Sequence, residues 1–157
     1  MSFDFNADDI FEMAEQIERN GVAFYKTASE NVADPQSKKL LTELSQMEEQ
    51  HAKFYASMRA TLSEKEKTVT VFDPENEGVQ YLRALADTRV FFEKTINMKS
   101  MKDILKAAIE AEKDSIVFYL GMKDVVPEGM GKSRIDAIIK EEMGHIRLLS
   151  KELVALK

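Results

Sequence analysis

The sequence predicts an all-α protein: a four-helix bundle of two antiparallel helical hairpins joined by a long crossover that contains a short helix. Three observations predict it. Four long stretches place apolar residues at helical spacing, with polar residues between them. Breaks at Asp34-Pro35 and at Pro127, Gly129 and Gly131 split these stretches into two closely linked pairs. The second half also repeats the first at an offset of 94 residues, since 142 − 48 and 145 − 51 both equal 94. Glu48-Glu49-Gln50-His51 returns as Glu142-Met143-Gly144-His145, and the segment from Glu18 to Tyr25 returns as Glu112 to Tyr119.

The first helix is expected over about 7–33. Asn6 is its candidate N-cap, and Asp8 and Asp9 suit the positive end of the helix dipole. Phe11, Ala14, Glu18, Val22, Tyr25 and Ser29 make its inner stripe. Gly21 interrupts that stripe at a cost in helix propensity, which implies close packing or room beside a site.

Asp34 can cap a second helix and Pro35 suits its first position, so helix 2 is expected over about 36–63. Its inner face carries Leu41, Leu44, Glu48, His51, Tyr55, Met58 and Leu62. Periodicity is lost at 64–76, where 68–72 is the one stretch resembling a strand and is too isolated to make a sheet. Helical character returns over 77–91 with Val79, Leu82, Leu85 and Ala86 on one side. Val90-Phe91-Phe92 and Met98 add apolar surface that must be covered by the bundle or by a second subunit, so a homodimer is expected.

Ser100 and Asp103 resemble a capping box, with Asp in place of the usual Glu, and helix 3 is expected over about 101–124. Its inner stripe is Leu105, Ala108, Glu112, Ser115, Tyr119 and Met122. Helix 4 follows over about 132–156, with Ile135, Ile138, Glu142, His145, Leu149 and Leu153 inside. Short links make each pair antiparallel. The crossover at about 64–99 is long enough to span a helix of roughly 40 Å, at about 1.5 Å per residue, so a pseudo-twofold can relate the hairpins.

The 157 residues suggest one domain, 1–157, with a substantial core. The net charge of −6 argues against nucleic acid or an anionic membrane surface as partner. No cysteine is present, so disulfides, thiolate metal sites, iron–sulfur clusters and thiol catalysis are excluded. No apolar run is long enough to span a bilayer. The acidic segment from Met1 to Asp9 lacks the features of a signal peptide, so a cytoplasmic location is expected.

Both histidines of the chain lie three residues after a glutamate, on one face of a helix. Glu18, Glu48, Glu112 and Glu142 sit on the apolar sides of their helices, and no lysine or arginine shares those stripes. Buried carboxylates need a compensating positive charge. Two divalent ions would balance four carboxylates, and mixed carboxylate–imidazole ligation suits iron or manganese, with zinc as a possible substitute. A lone Glu-x-x-His is more often a solvated pair, but the joint repeat of all six residues favours a metal site. Tyr25 and Tyr119 each lie seven residues after a lone glutamate and are candidates both for core packing and for a hydrogen bond to a ligand carboxylate. Glu49 and Glu141 flank the motifs as surface or boundary residues, and Glu141 could also orient a histidine.

Ile17 to Tyr25, Glu48 to His51, Glu112 to Tyr119 and Glu142 to His145 together resemble the rubrerythrin and ferritin-like di-iron carboxylate family. The resemblance covers all four helices. It implies that Glu18 and Glu112 are terminal ligands, that Glu48 and Glu142 bridge two irons, and that His51 and His145 bind one iron each. It further implies an oxidoreductase of oxidative-stress type, reducing hydrogen peroxide or dioxygen. Three departures qualify this. Ser115 stands where rubrerythrins typically carry an extra glutamate. The rubredoxin-like tail with four cysteines is absent, so electrons must come from an external donor protein. The symmetric ligand set is similar to that of bacterioferritins, but Glu49 stands where those proteins carry a haem methionine, so no haem is expected. The alternatives are a ferroxidase acting on Fe(II) in iron handling, and a metal-stabilised interaction module without turnover.

Overall fold

The computed structural model describes residues 7–62, 80–82, 84, 96–126, 129 and 131–156. Four long helices carry the fold: α1 (Ala7–Asn31), α2 (Pro35–Thr61), α3 (Met101–Val125) and α4 (Lys132–Ala155). No strand occurs among the described residues. The Asn6 cap, the 68–72 stretch, Val79, Leu85, Ala86, the Val90-Phe91-Phe92 run and Pro127 lie outside them.

Local chemistry sets the helix ends. The Asp34 carboxylate accepts from the Ser37 backbone N–H at 2.9 Å, and Pro35 opens α2 where a missing N–H costs nothing. Thus α1 stops at Asn31, two residues short of the expected end, and α2 starts at Pro35. Ser100 caps α3 by accepting from the Asp103 N–H at 3.3 Å. The reciprocal half of the expected capping box is absent, because the Ser100 N–H donates to the Asn97 carbonyl at 3.0 Å. An aspartate is one methylene shorter than the usual glutamate in that role.

Helix α1 packs along α2, α3 packs along α4, and α1 also touches α3. The buried apolar residues form two clusters, one at each end of the bundle. The first joins Ile10, Phe11 and Ala14 of α1 to Tyr55 of α2, Phe118 and Met122 of α3, and Ile135 and Ile138 of α4. The second joins Ala28, Leu41, Leu44, Leu105, Ala108 and Leu149. Chain direction follows from this division. Helices α1 and α4 run from the first cluster to the second, and α2 and α3 run back. Parallel α2 and α3 require the long crossover, since Thr61 and Met101 end up at opposite ends. Leu82 packs in the first cluster, while Ile96 and Met98 lie against the second. Tyr81 lies on α3 at Gly121, where an added Cβ would come within 2.8 Å of its ring.

Of the expected inner residues, Val22, Met58 and Leu153 are only partly buried. Between the two apolar clusters lies a polar layer, and it holds the chemistry.

Candidate metal centre

Each of the four helices contributes to this layer by its periodicity. Glu18 lies one turn beyond Ala14, Glu48 one turn beyond Leu44, Glu112 one turn beyond Ala108, and Glu142 one turn beyond Ile138. The stripes that bury those apolar residues therefore bury the glutamates too. Glu18, Glu48, Glu112, Glu142, His51 and His145 are all buried, none more than 5% exposed.

All six predicted residues come together. Glu18, Glu48, His51 and Glu142 form one group and Glu48, Glu112, Glu142 and His145 another, with ligand atoms within 4.8 Å of one another in each. Glu48 and Glu142 belong to both groups; Glu18 with His51, and Glu112 with His145, belong to one each. This is the 94-residue repeat expressed in space. His51 Nδ1 lies 2.9 Å from Glu142 Oε1 and 3.4 Å from Glu18 Oε2. His145 Nδ1 lies 3.0 Å from Glu142 Oε2, 3.1 Å from Glu48 Oε1 and 3.4 Å from Glu112 Oε1. The two imidazoles are stacked with centroids 6.0 Å apart.

The tyrosines cross the bundle. Tyr25 on α1 donates to Glu112 Oε1 on α3 at 2.6 Å, and Tyr119 on α3 donates to Glu18 Oε1 on α1 at 2.5 Å. Each serves the glutamate of the other hairpin. Both are fully buried, so they pack the core and hold a carboxylate at once. Gly21 seats a neighbour: an added Cβ would stand 3.0 Å from Glu48 Oε2. Ser115, at the offset position, is buried and donates to the Ala111 carbonyl of its own helix at 3.0 Å.

Of the histidines' outer partners, the sequence offers Glu141 as a residue that could orient a histidine, whereas it does not reach Met47. Glu141 Oε2 lies 2.5 Å from His51 Nε2, across the bundle from its own helix. Met47 Sδ lies 3.2 Å from His145 Nε2. The 94-residue offset pairs position 47 with 141 and could have found Met47 as well.

Electrostatics is severe without cations. Burial, and then the neighbouring carboxylates, push Glu48 and Glu142 well above the usual carboxylate range. Burial also opposes ionisation of Glu112, but contacts with Glu142, His145 and Tyr25 outweigh it and pull Glu112 down. Burial works against the charged imidazole of His51, yet Glu18, Glu48 and Glu141 lift it to about 9. His145 is raised likewise, against burial, by Glu112, Glu142 and Glu48. Tyr25 and Tyr119 are raised by burial and by adjacent carboxylates, which keeps their hydroxyls donors.

Buried polar atoms are normally paired. Among the described residues, eight buried side-chain atoms make no hydrogen bond: Glu18 Oε2, Glu48 Oε1, His51 Nδ1, Glu112 Oε2, both oxygens of Glu142, His145 Nδ1 and the Tyr55 hydroxyl. Seven of the eight belong to the six clustered residues, on the sides that face one another. These are hard oxygen and imidazole donors around a common centre, and they fit two cations. A further acidic group at Asp8, Asp9 and Glu12 is surface-lying, and Arg59 pairs with Asp8 and Glu12.

Fold and donor set together define the class, a ferritin-like four-helix bundle whose core cluster fits a diiron site. Over 98% of its length the chain superposes on 97% of a candidate ferritin-like diiron-carboxylate protein from Thermotoga maritima, with a TM-score of 0.70 and 25% sequence identity. A search of curated proteins finds no match. The family model for rubrerythrin matches residues 9–101, and the chain belongs to that family. Among the described residues no helix is long and apolar enough to cross a membrane.

Proposed function

We propose that the protein binds two iron ions between its four helices and is a di-iron oxidoreductase that reduces hydrogen peroxide or dioxygen. Glu18 and His51 would hold one ion, Glu112 and His145 the other, and Glu48 and Glu142 both. The observation that carries this reading is the set of seven unpartnered buried donor atoms in two overlapping groups. Two Fe(II) ions supply the two electrons that convert one peroxide and two protons to two waters, leaving two Fe(III).

The chain's own residues do the rest. Tyr25 and Tyr119 each hold one oxygen of Glu112 and Glu18 in place and leave the other oxygen without a hydrogen bond. Glu48 and Glu142 bind protons that entering cations displace, so metal uptake releases protons. The apolar clusters on either side keep water away and strengthen every charge interaction in the layer. An external electron-donor protein would re-reduce the irons.

One observation favours ferroxidase chemistry as a second reading. Ser115 offers no second carboxylate from α3 to the layer, and its hydroxyl is engaged with its own helix. Anaerobic loading with Fe(II), followed by one equivalent of peroxide, tests the proposal. Two irons per chain and a near-ultraviolet charge-transfer band are expected. Uptake of many Fe(II) per chain with a mineral product would instead support the second reading. A loaded protein inert to peroxide and dioxygen would contradict both and leave a metal-stabilised bundle.

A further inference from the structure

The pseudo-twofold is close in geometry and broken in chemistry beside the two histidines. In each hairpin the residue just before the shared glutamate reaches across to the outer nitrogen of the opposite histidine. On one side that residue is Glu141, with Oε2 at 2.5 Å from His51 Nε2. On the other it is Met47, with Sδ at 3.2 Å from His145 Nε2. The difference extends outward: Arg134 Nη1 lies 3.9 Å from Glu141 Oε1, whereas the position offset from Arg134 by 94 is Leu40.

A carboxylate is a strong acceptor for an imidazole N–H and a thioether is a weak one. An N–H bond to carboxylate fixes which ring nitrogen keeps its lone pair, holds the ring's orientation and makes that nitrogen a better metal donor. His51 Nδ1 gains all three; His145 Nδ1 does not. Glu141 and Met47 are also half-exposed, with 47% of the Glu141 side chain and 45% of Met47 open to solvent. Neither is fixed there by core packing.

We propose that Glu141 and Met47 make the two metal positions unequal, so that the Glu18–His51 position fills first and the Glu112–His145 position second. The inference rests on the two-metal reading above. Glu141 is a positioning residue: it acts through His51 and touches no metal.

Mutual repulsion of two dications separates the binding steps even in a symmetric site, so the decisive quantity is the change on substitution. The test is calorimetric titration of the full chain with Co(II), supported by proton NMR of the Co(II)-shifted imidazole N–H resonances. E141M is expected to weaken the first step by about tenfold or more and leave the second nearly unchanged. E141Q, which keeps an acceptor and removes the charge, is expected to fall between. M47E is expected to strengthen the second step and narrow the gap, with M47Q doing so to a smaller degree. At one equivalent of Co(II), one shifted N–H should be present, moved by E141Q and unmoved by M47Q. Two binding steps that ignore substitution at both positions would overturn the inference alone, as would a one-equivalent resonance that responds to M47Q instead. No Co(II) uptake by the wild type would overturn the two-metal reading and this inference with it.

Discussion

On the two-metal proposal, Glu142 would be costly to the protein alone and necessary to the loaded site. It is buried, both its oxygens lack hydrogen bonds, and it faces both histidines. In a metal-free preparation it must carry a proton or repel its neighbours. Glu142→Gln keeps the shape, removes the charge and supplies donors to the surrounding carboxylates. The metal-free variant is expected to be more stable than wild type at neutral pH, by about 1 kcal/mol, or roughly 2–4 °C in Tm for a chain of this size. The same change should abolish binding of the second metal and remove most of the Tm gain from Mn(II). Thermal scans with and without Mn(II) check both signs; a variant less stable than wild type without metal would refute the assigned strain. The six clustered residues were readable from sequence because the 94-residue offset paired them, and helix periodicity placed them inside. The partners of Tyr25 and Tyr119 were not readable, because spacing within one helix cannot say which neighbouring helix a side chain reaches.

At the scale of elements, the bundle depends on helix ends that direct each hairpin. The α1–α2 link is three residues, 32–34, and its cap is specific: Asp34 accepts from both the Ser37 N–H and the Ser37 hydroxyl at 2.9 Å. Asp34→Ala is expected to cost about 1 kcal/mol, seen as a Tm lower by roughly 2–4 °C. Metal stoichiometry should be unchanged, because Asp34 lies beyond the second apolar cluster from the site. Loss of metal binding in this variant would show that hairpin geometry and site are more tightly coupled than the layered core implies. Sequence signals located these ends well where a capping side chain defined them, as at Asp34 and Ser100. They did less well where a neighbour's backbone competed, as the Asn97 carbonyl does for the Ser100 N–H. Gly21 is a mixed case. Its cost in propensity pointed to close packing or room beside a site, and the structure identifies the occupant as the Glu48 carboxylate.

For the whole molecule, the two-metal proposal implies that the charged layer makes stability depend on pH and metal together. Glu48, Glu142, His51 and His145 all take up protons more readily in the fold than in the unfolded chain, with His51 raised to about 9. The folded state then binds more protons above the unfolded glutamate value of about 4.3, so stability falls as pH rises. The loss begins near that value and continues as pH passes through about 9 for His51. Glu112 is pulled down and has the opposite sign, but its contribution changes only below the unfolded glutamate range. Metal ions displace these protons, so the loaded protein should lose less stability across the same span. The Tm gain from Mn(II) is therefore expected to widen from about pH 5.5 to about pH 8.5; parallel Tm curves would contradict this.

The proposed function requires that the polar layer between the two apolar clusters hold two metal ions through six side chains. Anomalous scattering from a crystal grown with Mn(II) tests it most directly. Two peaks are expected in the bundle core, about 3.5–4 Å apart. One should lie against Glu18 and His51 Nδ1, the other against Glu112 and His145 Nδ1, with Glu48 and Glu142 touching both. A single core peak, or Mn(II) only at the surface group of Asp8, Asp9 and Glu12, would contradict it.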